Sequence, residues 1–286
     1  MNSPGGAFRG CVLAFALLLS SGTFVLASPH QDAVQLARGG DFERAVALLE
    51  AELSRDATNV ALAADYVVIL GWAGRREAAW ANRWRLESPE TPVYALRDIG
   101  AIGRDLKVPG EAAIFLGRAH RREPNDAALA GLYAMTLAEA HLFNEARGVI
   151  AHHQGAERRN PDFWFARAYI EELAGYYAEA VLAYREVLLL KADHADALER
   201  LAVNLLSAGA PDAARNAVRT GGSTVSAETS ARIVRDAVAW RVRWGAVEAR
   251  DPRDRYKATD RAIALIEREV ANARTLGSDG AALVQY

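Results

Sequence analysis

Ten side chains in this 286-residue chain combine charge, aromaticity and spacing suited to holding a ligand. They are Tyr94, Arg97 and Arg104, then Glu139, then Asp162, Phe165, Tyr169 and Glu172, and finally Asp196 and Glu199. Within each group they occupy the second, fifth, ninth or twelfth position of one expected helix, a spacing that keeps them on one face. Glu139 lies one position further round. Carboxylates pair with ammonium groups and rings stack against sugar faces, so the set suits a polysaccharide carrying some free amines. The alternative is an ordinary solvated face of charges, with the rings packed between helices.

Reactive chemistry is not legible. The sequence has no glycine-rich phosphate loop, zinc-protease helix signature or serine elbow, and its scattered Asp and Glu pairs nominate no acid and base. Adjacent His152 and His153 cannot both face one metal from a regular helix. His194, between Asp193 and Asp196, has no further ligand spaced to complete a site. Both histidine motifs are expected in links between helices, and the chain is read as a non-enzyme without metal or cofactor.

The elements that must position these side chains are set by a repeat. Ala45, Ala79, Ala112, Ala146, Ala180 and Ala214 fall at intervals of 34, 33, 34, 34 and 34 residues. Each sits in a similar phrase, such as Phe42-Glu43-Arg44-Ala45 or Asn144-Glu145-Ala146. A period of 34 is that of the tetratricopeptide repeat, a helix–turn–helix unit that stacks into a superhelix. Twelve residues before each marker stand Ala33, Val67, Gly100, Ala134, Ala168 and Ala202, small enough for two helices to cross closely. Nine before it stand Leu36, Leu70, Gly103, Leu137, Glu171 and Leu205. Five before it stand Gly40, Gly74, Lys107, His141, Gly175 and Gly209, suiting a helix C-terminus that needs positive φ. Arg83 and Gly103 break the apolar pattern locally. The fold expected is all-α: a tetratricopeptide-repeat superhelix, a right-handed α-solenoid of about six repeats over residues 32–220, with additional C-terminal helices.

Composition agrees. Hydrophobic residues make up 51% and charged residues 24%, and a net charge of −2 supplies no basic field for nucleic acid. The basic residues are 31 Arg against three Lys, which reads as coding bias. Arg9 followed by the apolar run Cys11 to Leu19, with Val25 and Ala27 ahead of Ser28, reads as a signal peptide over residues 1–27; an uncleaved anchor or a tail are the alternatives. Cleavage there removes the one cysteine, Cys11. Export without disulfides fits a Gram-negative periplasm, and no later stretch reaches the ~18 apolar residues of a membrane helix.

After the turn-rich Thr220-Gly221-Gly222-Ser223, a helix is expected from about Ser226 through Trp240 and Trp244, interrupted at Asp251-Pro252. A second is expected from about Arg253 to Arg274, giving a C-terminal helical extension over residues 226–275. The loop-like end, Leu276 to Gly280, suggests that the solenoid continues in a longer parent protein.

Two stretches resemble a known family. The segment Arg255-Tyr256-Lys257-Ala258-Thr259-Asp260-Arg261-Ala262-Ile263-Ala264 is similar to one that follows the periplasmic repeats of poly-β-1,6-N-acetylglucosamine export porins. Asp65 to Gly74, with Tyr66, Trp72 and Ala73, resembles an early repeat of the same family. The resemblance implies a signal peptide, a long tetratricopeptide superhelix and an outer-membrane β-barrel. It also implies a partly deacetylated glucosamine polymer as ligand and a periplasmic deacetylase as partner. The barrel is the departure, since no ~10-residue alternating strands occur. The second reading is a general periplasmic scaffold that grips a peptide or protein in the same groove.

Overall fold

The computed structural model describes residues 28–153 and 159–248. The expected signal peptide, the segment Arg255 to Ala264 and the helix from about Arg253 lie outside the described residues. Among those described, every regular element is a helix. Six antiparallel pairs follow one another: α1 (Pro29–Arg38) with α2 (Phe42–Arg55), α3 (Val60–Trp72) with α4 (Arg76–Ala81), and α5 (Val93–Asp105) with α6 (Pro109–Arg122). Then come α7 (Ala127–Glu139) with α8 (Phe143–His153), α9 (Pro161–Leu173) with α10 (Tyr177–Leu190), and α11 (Ala195–Ser207) with α12 (Pro211–Gly221). A longer helix, α13 (Ala227–Glu248), packs Ile233, Ala237 and Val238 inward after the last pair.

Why each helix starts and stops is visible in the caps. Five of the six first helices open on residues whose side chains accept a backbone N–H: Ser28 for α1, Asn59 for α3, Asp126 for α7, Asn160 for α9 and His194 for α11, while α5 opens on Pro92 without one. All six first helices end on the same turn. Gly40, Gly74, Lys107, His141, Gly175 and Gly209 have φ of 87°, 74°, 62°, 62°, 80° and 80°. The next residue's N–H then reaches back to the carbonyl five residues earlier, as in Asp41 to Leu36 (2.9 Å) and Ala210 to Leu205 (2.8 Å). Lys107 and His141 adopt the left-handed conformation that the other four positions give to glycine.

Packing follows the period. All six marker alanines are fully buried, as are Ala33, Val67, Ala134 and Ala168 twelve residues before. At Gly100 the fit is closest: a Cβ there would lie 2.4 Å from Leu116 Cγ. Gly103, the apparent break in the pattern, faces the Trp80 ring, which leaves no room for a Cβ. A large residue on one helix has replaced the large residue missing on the other.

The second pair departs from the repeat. Its second helix stops at Ala81 and continues as one 3₁₀ turn, Arg83–Leu86. Asn82 explains the stop, because its side-chain amide donates to Ala78 O at 2.9 Å and competes with the helical ladder. Arg83 lies over the Trp80 ring at 4.8 Å and pairs with Glu111 at 2.8 Å, so the charge at an apolar position sits outside the core. Arg118 of α6 then ties down the irregular link by donating to Leu86 O (2.8 Å) and Ser88 O (2.6 Å).

Left-handed backbone costs a non-glycine residue about 1–2 kcal/mol, partly offset because glycine loosens the unfolded chain. Lys107→Gly and His141→Gly are therefore each expected to stabilise the protein by about 0.5–1 kcal/mol, read as a higher urea midpoint. Gly175→Ala should lower it.

Candidate functional site

The first helices, α1 to α11 in odd numbers, form the surface that tetratricopeptide solenoids present as their inner face. Polar links join every neighbouring pair of them along this face. His30 and Tyr94 both reach Asp65, at 2.6 Å each, joining α1, α3 and α5. Arg97 of α5 meets Asp126 of α7 at 3.4 Å, and Arg104 grips Glu139 through two bonds of 2.8 and 2.7 Å. Tyr169 of α9 donates to the same Glu139 at 2.8 Å. Arg200 of α11 lies 4.6 Å over the Tyr169 ring and donates to Glu172 at 2.7 Å. Glu172 also accepts from Tyr184 (2.7 Å) and Asn204 (2.9 Å).

The electrostatics follow from that wiring. Burial pushes the Glu139 carboxyl up, but the bonds from Arg104 and Tyr169 outweigh it and hold the group below the usual carboxylate range. Burial, then the neighbouring Glu172, pushes the Tyr184 phenol up and keeps it a donor. Tyr94 is raised in the same way by burial and Asp65. The face is therefore a ladder of alternating charge.

Two clefts open on it. The larger, about 1010 Å³, lies over α3 and α5, where Val68, Ile69 and Val93 supply apolar wall and Trp72 and Tyr94 supply rings. Asp98 stands at its edge, its carboxyl raised by burial against the opposing pull of a Trp72 hydrogen bond and of Arg97. The smaller, about 470 Å³, is lined by Arg104, Phe165, Tyr169, Glu172, Asp196 and Glu199, among others. Phe165 stacks on His194 (5.2 Å, 10° between planes) and on Tyr169 (6.5 Å, 9°).

The ten residues singled out from the sequence thus divide. Tyr94 and Arg97 line the larger cleft. Arg104, Phe165, Tyr169, Glu172, Asp196 and Glu199 line the smaller. Glu139 sits behind the smaller cleft, held by Arg104 and Tyr169. Asp162 is exposed in the first turn of α9 and lines neither. A correction concerns the carboxylates: Glu139 and Glu172 are occupied by Arg104, Arg200, Tyr169, Tyr184 and Asn204 instead of standing free for a cation. Asp196 and Glu199 make no ion pair among the described residues and keep that capacity.

The contributors missed include Trp72, which supplies a ring to the larger cleft, His194, which stacks on Phe165, and three charged residues, Asp65, Asp98 and Arg200. Each of these three charged residues occupies the sixth position of its helix, one step beyond the fifth, so a slightly wider helical stripe includes them.

The histidines need a second correction. His152 and His153 are not in a link but in the last turn of α8. His153 is buried and its ring lies 6.1 Å from that of His120 on α6, which in turn lies 5.6 Å from Tyr133 on α7. His120 Nδ1 and His153 Nε2 are buried without a hydrogen-bond partner among the described residues. Burial, then the neighbouring His153 and His152, holds the His120 imidazole below its ordinary value, with Asp126 opposing. His194 does lie between helices, where its Nδ1 caps α11. Among the described residues no three His, Cys, Asp or Glu side chains are placed to hold a metal, and no helix is long and apolar enough to cross a membrane.

Comparison with solved structures shows the fold. A tetratricopeptide repeat protein from Parabacteroides merdae superposes with a TM-score of 0.61 at 11% identity, covering 82% of this chain and 97% of that one. YrrB, a tetratricopeptide protein described as having an unusual peptide-binding site, gives 0.54 at 18% identity over 59% of this chain and 88% of its own. PilW, a type IV pilus biogenesis factor, gives 0.53 at 19% identity, covering 67% and 90%. No protein-family model and no curated protein sequence matches the chain. The fold is a tetratricopeptide-repeat solenoid.

Two outcomes follow. Glu172→Ala strands Arg200, Tyr184 and Asn204 and should cost about 2 kcal/mol of stability, whereas Asp196→Ala should stay within about 0.5 kcal/mol; urea midpoints separate the two. Because His120 binds its proton less tightly folded than unfolded, its contribution is complete above about pH 6.5 and is lost as pH falls below that value. Denaturation midpoints at pH 7.5 and 5.5 should therefore differ, and His120→Gln should reduce the difference.

Proposed function

We propose that this chain is a non-catalytic periplasmic scaffold, the repeat region of a poly-β-1,6-N-acetylglucosamine export porin. In this reading its inner face holds partly deacetylated polymer and a periplasmic deacetylase docks on it. The observation that carries it is the smaller cleft: Phe165, Tyr169 and His194 form a stacked aromatic platform beside Asp196 and Glu199, two carboxylates with no ion-pair partner among the described residues. A sugar ring lies flat on such a platform, and an unacetylated amine at its edge meets the carboxylates. The resemblance of Asp65 to Gly74 and of Arg255 to Ala264 to that porin family supplies the polymer's identity and the outer-membrane setting.

A second reading rests on the larger cleft. Its Trp72 is 53% exposed and Tyr94 45%, beside an apolar wall. That arrangement suits side chains of an extended peptide, and YrrB, a neighbour in fold, is described as binding a peptide. This would make the chain a general envelope-assembly scaffold for protein partners.

Binding of partly deacetylated and fully acetylated glucosamine oligomers, measured by calorimetry at two salt concentrations, separates the readings. The deacetylated oligomer should bind more tightly, weaken with salt, and lose about tenfold in affinity, worth about 1.4 kcal/mol, in Asp196→Asn/Glu199→Gln. Equal binding by that variant, or none by the wild type at either salt, would overturn the polysaccharide assignment. A loss on Trp72→Ala alone would move the ligand to the larger cleft.

A further inference from the structure

The outer helices of the solenoid carry one anomaly. Two residues after its marker alanine every second helix carries an exposed position, and nine residues after it α2, α6 and α10 carry another. In α2 and α6 the ninth is Ser54 and Arg121, and outside α10 the second is small or polar except at Ile114. In α10 both are leucine: Leu182 is 62% exposed and Leu189 77%. Between them on the same face lie Arg185 and Glu186, which make no ion pair among the described residues. The four residues sit at i, i+3, i+4 and i+7, a single stripe along the helix. Exposed leucines in register with unpaired charges describe an interface side of a helix.

The order of the four identifies the occupant. Laying a second α10 antiparallel against the first, with the two-fold axis between Arg185 and Glu186, places Leu182 opposite Leu189 of the second copy. The same operation places Arg185 opposite Glu186, and both matches occur twice, as an isologous contact requires. Trp164 and Arg167 of α9, stacked at 5.4 Å, border the groove beside this stripe and extend the surface. We infer that α10 is a self-association surface on which a second copy of this chain docks antiparallel, through Leu182 on Leu189 and Arg185 on Glu186. The contact uses the outer helix, so both inner faces stay open.

Sedimentation equilibrium of the whole chain over a concentration series tests this. A monomer–dimer equilibrium is expected. Arg185→Glu or Glu186→Arg alone brings like charges together at the axis and should weaken the dimer at least tenfold. The double exchange R185E/E186R restores opposite charges and should recover dimerisation. In a Cys11→Ser background, Leu182→Cys mixed with Leu189→Cys should form a disulfide-linked pair on oxidation, while neither variant alone should. A monomer at every concentration would overturn the proposal, and so would single exchanges without effect. Efficient self-linking of Leu182→Cys alone would overturn the antiparallel register. All of these positions are exposed or at the surface, and circular dichroism confirms that each variant keeps its helices.

Discussion

Everything in this molecule depends on how closely two helices of a pair can cross. The six alanines at 34-residue spacing are fully buried because any larger side chain there would push a second helix off its first. The same limit operates twelve residues earlier, where even a methyl group on Gly100 would collide with Leu116. Close crossing fixes the angle within a pair, and repetition of that angle turns six short hairpins into one elongated body. Its core then runs in overlapping clusters along the chain instead of gathering at a centre. In such a body each pair is stabilised by its immediate neighbours, so what joins neighbours matters more than total buried area.

That requirement explains the inner face. Its links bridge sequence separations of 28 to 35 residues, about one repeat, and each therefore ties one first helix to the next. Arg104, Glu139, Tyr169, Arg200 and Glu172 form the strongest stretch, because each anion has two or more donors and Arg200 both lies over the Tyr169 ring and donates to Glu172. A buried charge with a complete set of partners costs little, and one stripped of a partner costs a great deal. The face thus mixes two kinds of carboxylate: Glu139 and Glu172 hold the helices in register, while Asp196 and Glu199 are left to meet something from outside.

The repeat, its register and its helix-ending turns were all legible, because each depends on one small or left-handed residue at a fixed spacing. Lys107 and His141 show how strongly position governs: the turn forms there without the glycine that usually signals it. Interactions between repeats were less legible. The sixth-position residues Asp65, Asp98 and Arg200 act through partners about one repeat away, and a helical stripe drawn one helix at a time does not reveal them. Asn82 ended α4 through a local amide bond, which the period of the apolar residues does not record. The link expected at His152-His153 is absent because the helix continues through both and buries His153 against His120.

The two faces of the solenoid also answer to different constraints, and this separates what each can do. Inner-face residues are held by partners on neighbouring helices, so a ligand there meets a preorganised surface and only the unpaired groups can adapt to it. Outer-face residues have fewer ties to other elements, those of Arg83 to Glu111 and of Arg118 to the Leu86 and Ser88 carbonyls among them, so the untied ones vary from repeat to repeat at little cost to the fold. An unusual outer residue therefore reports something beyond the chain's own packing, whereas an unusual inner residue reports first on the ladder. By that criterion Glu172, conspicuous in sequence, is explained by Arg200, Tyr184 and Asn204. The leucines of α10 have no such explanation within the chain, and their symmetry about Arg185 and Glu186 supplies one outside it.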